Sequence, residues 1–156
     1  MIYIFDSSPL IVLFKHYYPD RFPSLWENFD ALILERRIIS VREVKRELEG
    51  RGDRLSDWAK DHGKVFSTPT IDELNFVAKI FKIAHFQTLV KKQEQLQGKP
   101  VADPFVIAKA KIQEQGCVVT LEAKKPNAAK IPNVCEHFGI PCINLEAFME
   151  NERWRF

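Results

Sequence analysis

Met1-Ile2-Tyr3-Ile4-Phe5-Asp6-Ser7-Ser8-Pro9-Leu10 is the stretch that decides the fold class. Its first five residues form an unbroken apolar run bounded by turn and cap residues. That pattern predicts a strand buried on both faces, as in a parallel sheet. Asp6 falls at the carboxyl end of the strand, with Ser8 placed to cap a following helix and Pro9 at its first position. Ligands of open α/β sheets bind in the crevice outside the strand carboxyl ends. Asp6 is therefore either a turn former or part of a site, and the rest of the chain has to decide which.

Working outward, Cys117-Val118-Val119-Thr120-Leu121, ending at Glu122, reads as a second buried strand. Shorter strands are predicted at Ile38-Ile39, Val65-Phe66 and Ile140 to Ile143. Between them lie helical patterns. Arg21 to Glu35 places Phe22, Leu25, Trp26, Phe29, Leu32 and Ile33 at helical spacing. Ser40 followed by Glu43 has the spacing of a capping box, opening a helix that ends near Gly50. Thr70 to about Gln97 reads as one or two helices, broken by Gly98-Lys99-Pro100, and Asp103-Pro104 opens another. Val134 to Phe138 is stopped by Gly139, and Asn144 caps a last helix. This alternation predicts an α/β fold with a parallel sheet and helices on both faces, built as a single domain over residues 1–156. The long helical middle reads as an arm packed beside the sheet.

The 156 residues, 46% apolar and 28% charged, describe a globular chain rather than a disordered or membrane one. Asp6 and Lys15 interrupt the first apolar stretch too early for a secretory or membrane segment, so a cytoplasmic protein without a membrane partner is expected. Cys117, Cys135 and Cys142 lack zinc-ligand spacing and fit a reducing compartment. The net charge of +2 does not by itself call for nucleic acid. Lys91, Lys92, Lys99, Lys109, Lys111, Lys124 and Lys125 could supply phosphate contacts or simply line solvated faces.

Four acids stand out by position. Asp6 and Glu122 each follow a buried strand, and Asp103 opens the helix before the second. On the helix after Ser40, residues advance about 100° each, and Val41, Val44 and Leu48 define the buried face. Glu47 falls at the edge of that face, and Glu43 lies further out, where it is expected to meet water. Glu43 is thus a substitute for Glu47 or a supporting residue. Four carboxylates gathered at one sheet edge would repel one another unless neutralised, and hard oxygen ligands suit Mg²⁺ or Mn²⁺. No Gly-rich phosphate loop is present.

Tyr3-Ile4-Phe5-Asp6-Ser7-Ser8, Val44-x-x-Glu47-Leu48, Ala102-Asp103 with Ile107-Ala108-x-Ala110, and Val118-Val119-Thr120 before Glu122 together resemble the PIN-domain nucleases. These are small metal-dependent ribonucleases familiar as toxins of toxin–antitoxin pairs. The resemblance implies a three-layer α/β/α sandwich and Mg²⁺- or Mn²⁺-dependent endonucleolytic cleavage of RNA. It implies Asp6, Glu47 and Asp103 as catalytic metal ligands, joined by Glu122 where many relatives have Asp. Ser8 and Thr120 match hydroxyl positions that orient the acids. As partners it implies an RNA substrate, a cognate antitoxin protein and, as in many relatives, a homodimer. Phe76, Phe81, Phe86 and Leu89 are either an antitoxin groove or core. The tail Arg153-Trp154-Arg155-Phe156 either stacks on bases or packs back on the domain. The alternative is a PIN-like module that binds RNA or protein without cutting. A phosphatase of the haloacid-dehalogenase type would want an acid where Ser8 stands.

Overall fold

The computed structural model describes residues 1–90 and 101–156. The Lys91, Lys92 and Lys99 cations, the break at residues 98–100 and the tail of the predicted helix near Gln97 lie outside the described residues. Five strands, β1 (Ile2–Phe5), β2 (Ile38–Val41), β3 (Phe66–Ser67), β4 (Gly116–Val119) and β5 (Cys142–Ile143), form one sheet in the order β3-β2-β1-β4-β5. Every pairing is parallel, with Tyr3 opposite Ile38 on one side of β1 and Cys117 on the other. The fold is the expected α/β class, a five-stranded parallel sheet flanked by helices, consistent with a three-layer α/β/α sandwich.

The described helices are α1 (Ser7–His16), α2 (Pro23–Leu34), α3 (Arg42–Glu49), α4 (Arg54–Asp61), α5 (Ile71–Phe81), α6 (Asp103–Ile112), α7 (Ile131–Phe138) and α8 (Leu145–Asn151). Right-handed crossovers put α1 to α4 on one face of the sheet and α6 and α7 on the other. The chain runs outward from β1 to β2 and β3, then returns across β1 to reach β4 and β5. The strand order therefore reverses between β1 and β4, which in open α/β sheets is where ligands bind. The helix α6 packs against β1, β2 and β4, and α5 packs against α6, forming the arm that the helical middle predicted.

The β1 residues Tyr3, Ile4 and Phe5 are essentially inaccessible. Phe148 of α8 sets its ring edge-on to both Tyr3 and Phe5, at centroid distances of 4.7 and 5.1 Å. Phe76, Phe86 and Leu89 are buried and Phe81 is half-buried, so these residues belong to the core rather than to an open groove. Phe76 and Phe86 pack on Phe138 of α7. In the tail, Trp154 packs on Phe148. Cys117 and Cys135 are buried and Cys142 is half-buried, as expected of thiols used as small apolar groups.

Two predicted caps are corrected. Strand β2 runs on through Ser40 to Val41, so Ser40 is a strand residue and not a helix cap. Its hydroxyl is already used, donating to the Phe5 carbonyl at 2.6 Å across the sheet. The reciprocal capping box lies instead at Thr70 and Glu73, at the start of α5. Helix α1 begins at Ser7, so Ser8 lies inside the first turn and makes tertiary bonds instead of a cap.

Candidate functional site

The candidate site is built where the strand order reverses. The Asp6 amide donates to Val119 O at 3.0 Å, continuing the β1–β4 ladder one residue past the end of β1. This brings Asp6 alongside Thr120, whose hydroxyl donates to Asp6 Oδ2 at 2.9 Å. Ser8 Oγ lies 3.4 Å from the same oxygen and accepts from the Leu121 amide at 3.1 Å. Asp6 is only 4% exposed. Burial pushes its carboxyl above the ordinary range, and the nearby Glu122 charge adds to the rise. The Ser7 amide and the Thr120 and Ser8 hydroxyls oppose it without cancelling it. Asp6 is thus a poorly solvated acid whose charged form is disfavoured by its burial.

A helix that leads into a parallel strand runs antiparallel to it, so α6 starts at the carboxyl edge of the sheet, and Asp103 is its first residue. Glu47 is anchored to the same place. Its Oε1 accepts the Ala102 amide at 3.1 Å, one residue before Asp103. The half-buried side chain of Glu47 therefore spans from α3 to the start of α6. The site brings Asp6, Glu47 and Asp103, from three separate stretches of sequence, to one edge.

Glu122 is held differently. Its Oε2 accepts the Ile131 amide at 3.0 Å, satisfying an otherwise open donor at the start of α7. Its own amide donates to Thr120 Oγ1 at 3.2 Å. It acts on Asp6 through charge, from a carboxylate already committed to a helix end.

Glu43 reverses its expected position. It is 4% exposed, deeper than Glu47, although the helical wheel placed it further toward water. The wheel considered α3 alone, and α1, α4 and β3 all pack around that helix. Arg42 Nη2 and Nε donate to Glu43 Oε1 at 2.8 and 3.2 Å, while the buried Oε2 has no hydrogen-bond partner.

The acids at this edge offer carboxylate oxygens, the hard donors that divalent cations take. Among the described residues, no three Asp, Glu, His or Cys side chains converge on a common point as they stand. Of the lysines noted above, Lys109 pairs with the buried Glu73 at 3.4 Å and Lys124 pairs with Glu136. Lys125 is exposed in the loop after Glu122.

Residues 3–156 match the family model described as a domain of unknown function, DUF4411, and the chain belongs to that family. No curated protein matches, and no solved structure matches.

Proposed function

We propose that this member of the family is a metal-dependent endoribonuclease, a PIN-like hydrolase of RNA phosphodiesters. The observation that carries the reading is the pairing of buried Asp6 with Thr120 at the reversal point, with Glu47 tied to the residue before Asp103. In this reading Asp6, Glu47 and Asp103 would hold Mg²⁺ or Mn²⁺. Glu122 contributes negative charge from its place at the start of α7. A divalent cation bound there would supply charge neutralisation, activation of water and stabilisation of charge on the departing oxygen.

The chain's own residues do the positioning. Thr120 and Ser8 fix the rotamer of Asp6. Ser40, bonded to Phe5 O, ties β2 to the last turn-out of β1 and so sets where α3 begins. The Glu47–Ala102 bond sets the separation between α3 and Asp103. Lys125, exposed beside this edge, is suited to a phosphate of the RNA backbone. The toxin role, the cognate antitoxin, a homodimer and a cytoplasmic location rest on the sequence reading alone.

The test is cleavage of a mixed, structured RNA pool with Mg²⁺ or Mn²⁺ and then with EDTA. Asp6→Asn and Asp103→Asn should each abolish cutting while the protein stays folded. Full activity in either variant would remove the core of the reading. A second reading, a PIN-like module that binds RNA or protein without cutting, is favoured by the lack of three converging ligands among the described residues. It predicts RNA binding that EDTA leaves unchanged.

A further inference from the structure

Cys135 and Cys142, whose spacing announces nothing in the sequence, meet between α7 and β5. Val118 lies opposite Cys142 in the β4–β5 ladder, so Cys142 shares the Val118 face of the sheet. Cys117, the strand neighbour of Val118, points to the other face. Helix α7 packs on β5 and turns Ile131, Val134 and Cys135 inward. Gly139 stops the helix in the left-handed conformation, and the Ile140 amide returns to Cys135 O at 2.8 Å. Only residues 136–141 separate the two cysteines, and the Cys135 S–H donates to the Cys142 sulfur.

The two thiols have unequal surroundings. Cys135 is inaccessible, whereas Cys142 is half-buried on β5, the strand at the end of the sheet. The hydrogen bond from Cys135 holds the Cys142 thiol below its ordinary range, against burial and the charges of Glu122 and Asp6. The same contact, with burial, pushes the Cys135 thiol up. Cys117 donates to Val118 O instead, and burial pushes it up to about 11. A cysteine that oxidises selectively needs thiolate character, access, and a second thiol beside it to capture the product. Cys142 has the first two, and Cys135 is the third.

We propose that Cys142 and Cys135 are a peroxide-oxidised dithiol site, with Cys142 as the attacking sulfur and Cys135 as the thiol that resolves it. The Cys142 thiolate attacks one oxygen of hydrogen peroxide. The O–O bond breaks, and the departing hydroxide takes a proton to become water. Cys142 is then a sulfenic acid, oxidised by two electrons. The Cys135 sulfur displaces its hydroxyl, the S–S bond forms, and the Cys135 proton leaves with that hydroxyl as a second water. A dithiol reductant reverses the change by exchange. The bond ties α7 to β5 one helical turn after Ile131, whose amide Glu122 holds, and so next to the candidate site. The site stands whether or not the chain cuts RNA.

The experiment exposes the folded full chain to hydrogen peroxide, alkylates it with N-ethylmaleimide in denaturant, and maps tryptic peptides by mass. Trypsin leaves both cysteines in the peptide 131–153 and places Cys117 in another. In the wild type, peptide 131–153 should be lighter by two hydrogens and carry no alkyl group, while Cys117 is alkylated. Dithiothreitol should restore all three thiols. Cys135→Ser should leave Cys142 as a sulfenic acid that dimedone traps, and Cys142→Ser should slow oxidation of Cys135 by about tenfold or more. Both thiols of peptide 131–153 alkylated after peroxide, or its oxidation only once urea has unfolded the chain, overturns the proposal. A bridge to Cys117 does the same. Thermal melting checks the variants, and should either fail to fold, the wild-type map decides by itself.

Discussion

Thr120 Oγ1 donates a 2.9 Å hydrogen bond to Asp6 Oδ2 across the gap between β1 and β4, where the strand order reverses. Both residues follow the last ladder pair, Phe5 with Val119, so the bond is the next step of the sheet made by side chains. Thr120→Val keeps the shape and removes both the donor to Asp6 and the acceptor of the Glu122 amide. Loss of a buried hydrogen bond of this kind costs about 1–2 kcal/mol. In a chain of this size each kcal/mol lowers Tm by about 2–4 °C. Calorimetric melting checks the size of the loss, and a variant as stable as the wild type would show that the bond contributes nothing.

Asp6 itself should behave in the opposite sense. Burial raises its carboxyl above the unfolded value, so the folded state holds a proton that the unfolded chain releases. The stability this contributes is complete below the unfolded value and is lost as pH rises through the folded one. Asp6→Asn keeps a side-chain acceptor and removes the charge. Its Tm should therefore exceed that of the wild type at pH 7, and the difference should shrink as pH falls toward 4. Melting curves of both proteins across that range test the slope, and parallel curves would refute it.

Glu47 reaches Ala102 from another part of the sequence, so it couples the site to the fold. Glu47→Ala removes the acceptor and leaves the Ala102 amide open, at a cost of about 1.5–3 kcal/mol for a bond to a charged group. Glu47→Gln keeps an oxygen in place and should recover most of that loss without restoring RNA cleavage. Stability and activity measured on both variants separate the two roles. A glutamine variant with full activity would remove Glu47 from the proposed ligands.

The ends of the two buried strands were legible in the sequence because apolar runs closed by acids have few other readings. Asp6, Asp103 and Glu122 all fall where the strand and helix breaks put them. Other features were hidden because they depend on distant partners. Ser40 has the spacing of a cap, yet its hydroxyl is taken by Phe5 O across the sheet, and the strand runs on by one residue. Glu43 looks solvated on its own helix and is covered by elements that a wheel does not include. The use of Glu122 on the Ile131 amide needs the chain to return after nine residues, which no local pattern announces.

Gly116 begins β4 directly after the turn that follows α6. A Cβ at that position would lie 2.3 Å from Ala110 O and 3.0 Å from Gln113 O, both backbone atoms that cannot swing away. Gly116→Ala must therefore shift the end of α6 or the start of β4. Overpacking costs typically about 1–3 kcal/mol, and rigid backbone partners place this variant at or above the upper end. Because Thr120 lies four residues along from Gly116, the displacement should also weaken the Asp6–Thr120 bond. Low soluble yield or a Tm reduced by about 6 °C or more is expected, and a wild-type melt would show that the turn yields easily.

At the opposite end of the sheet, Glu152 Oε2 accepts from Tyr3 Oη at 2.6 Å and from Arg37 Nη2 at 2.7 Å. One carboxylate thus ties the residue after α8 to β1 and to the start of β2. Burial alone would raise the Glu152 carboxyl, but the bonds from Tyr3 and Arg37 outweigh it and hold the group below its ordinary range. A lowered folded value means that the contribution is complete above the unfolded value and is lost as pH falls through the folded one. Glu152→Gln should therefore cost most at neutral pH and approach the wild type in acid, the reverse of the Asp6→Asn trend. The buried Tyr3 hydroxyl keeps an acceptor in that variant but loses it in Glu152→Ala, which should be the less stable of the two by about 1 kcal/mol or more. Denaturant unfolding of the three proteins at pH 7 and pH 4 checks both the order and the pH trend, and equal losses at the two pH values would exclude a charged Glu152 as the source of the stabilisation.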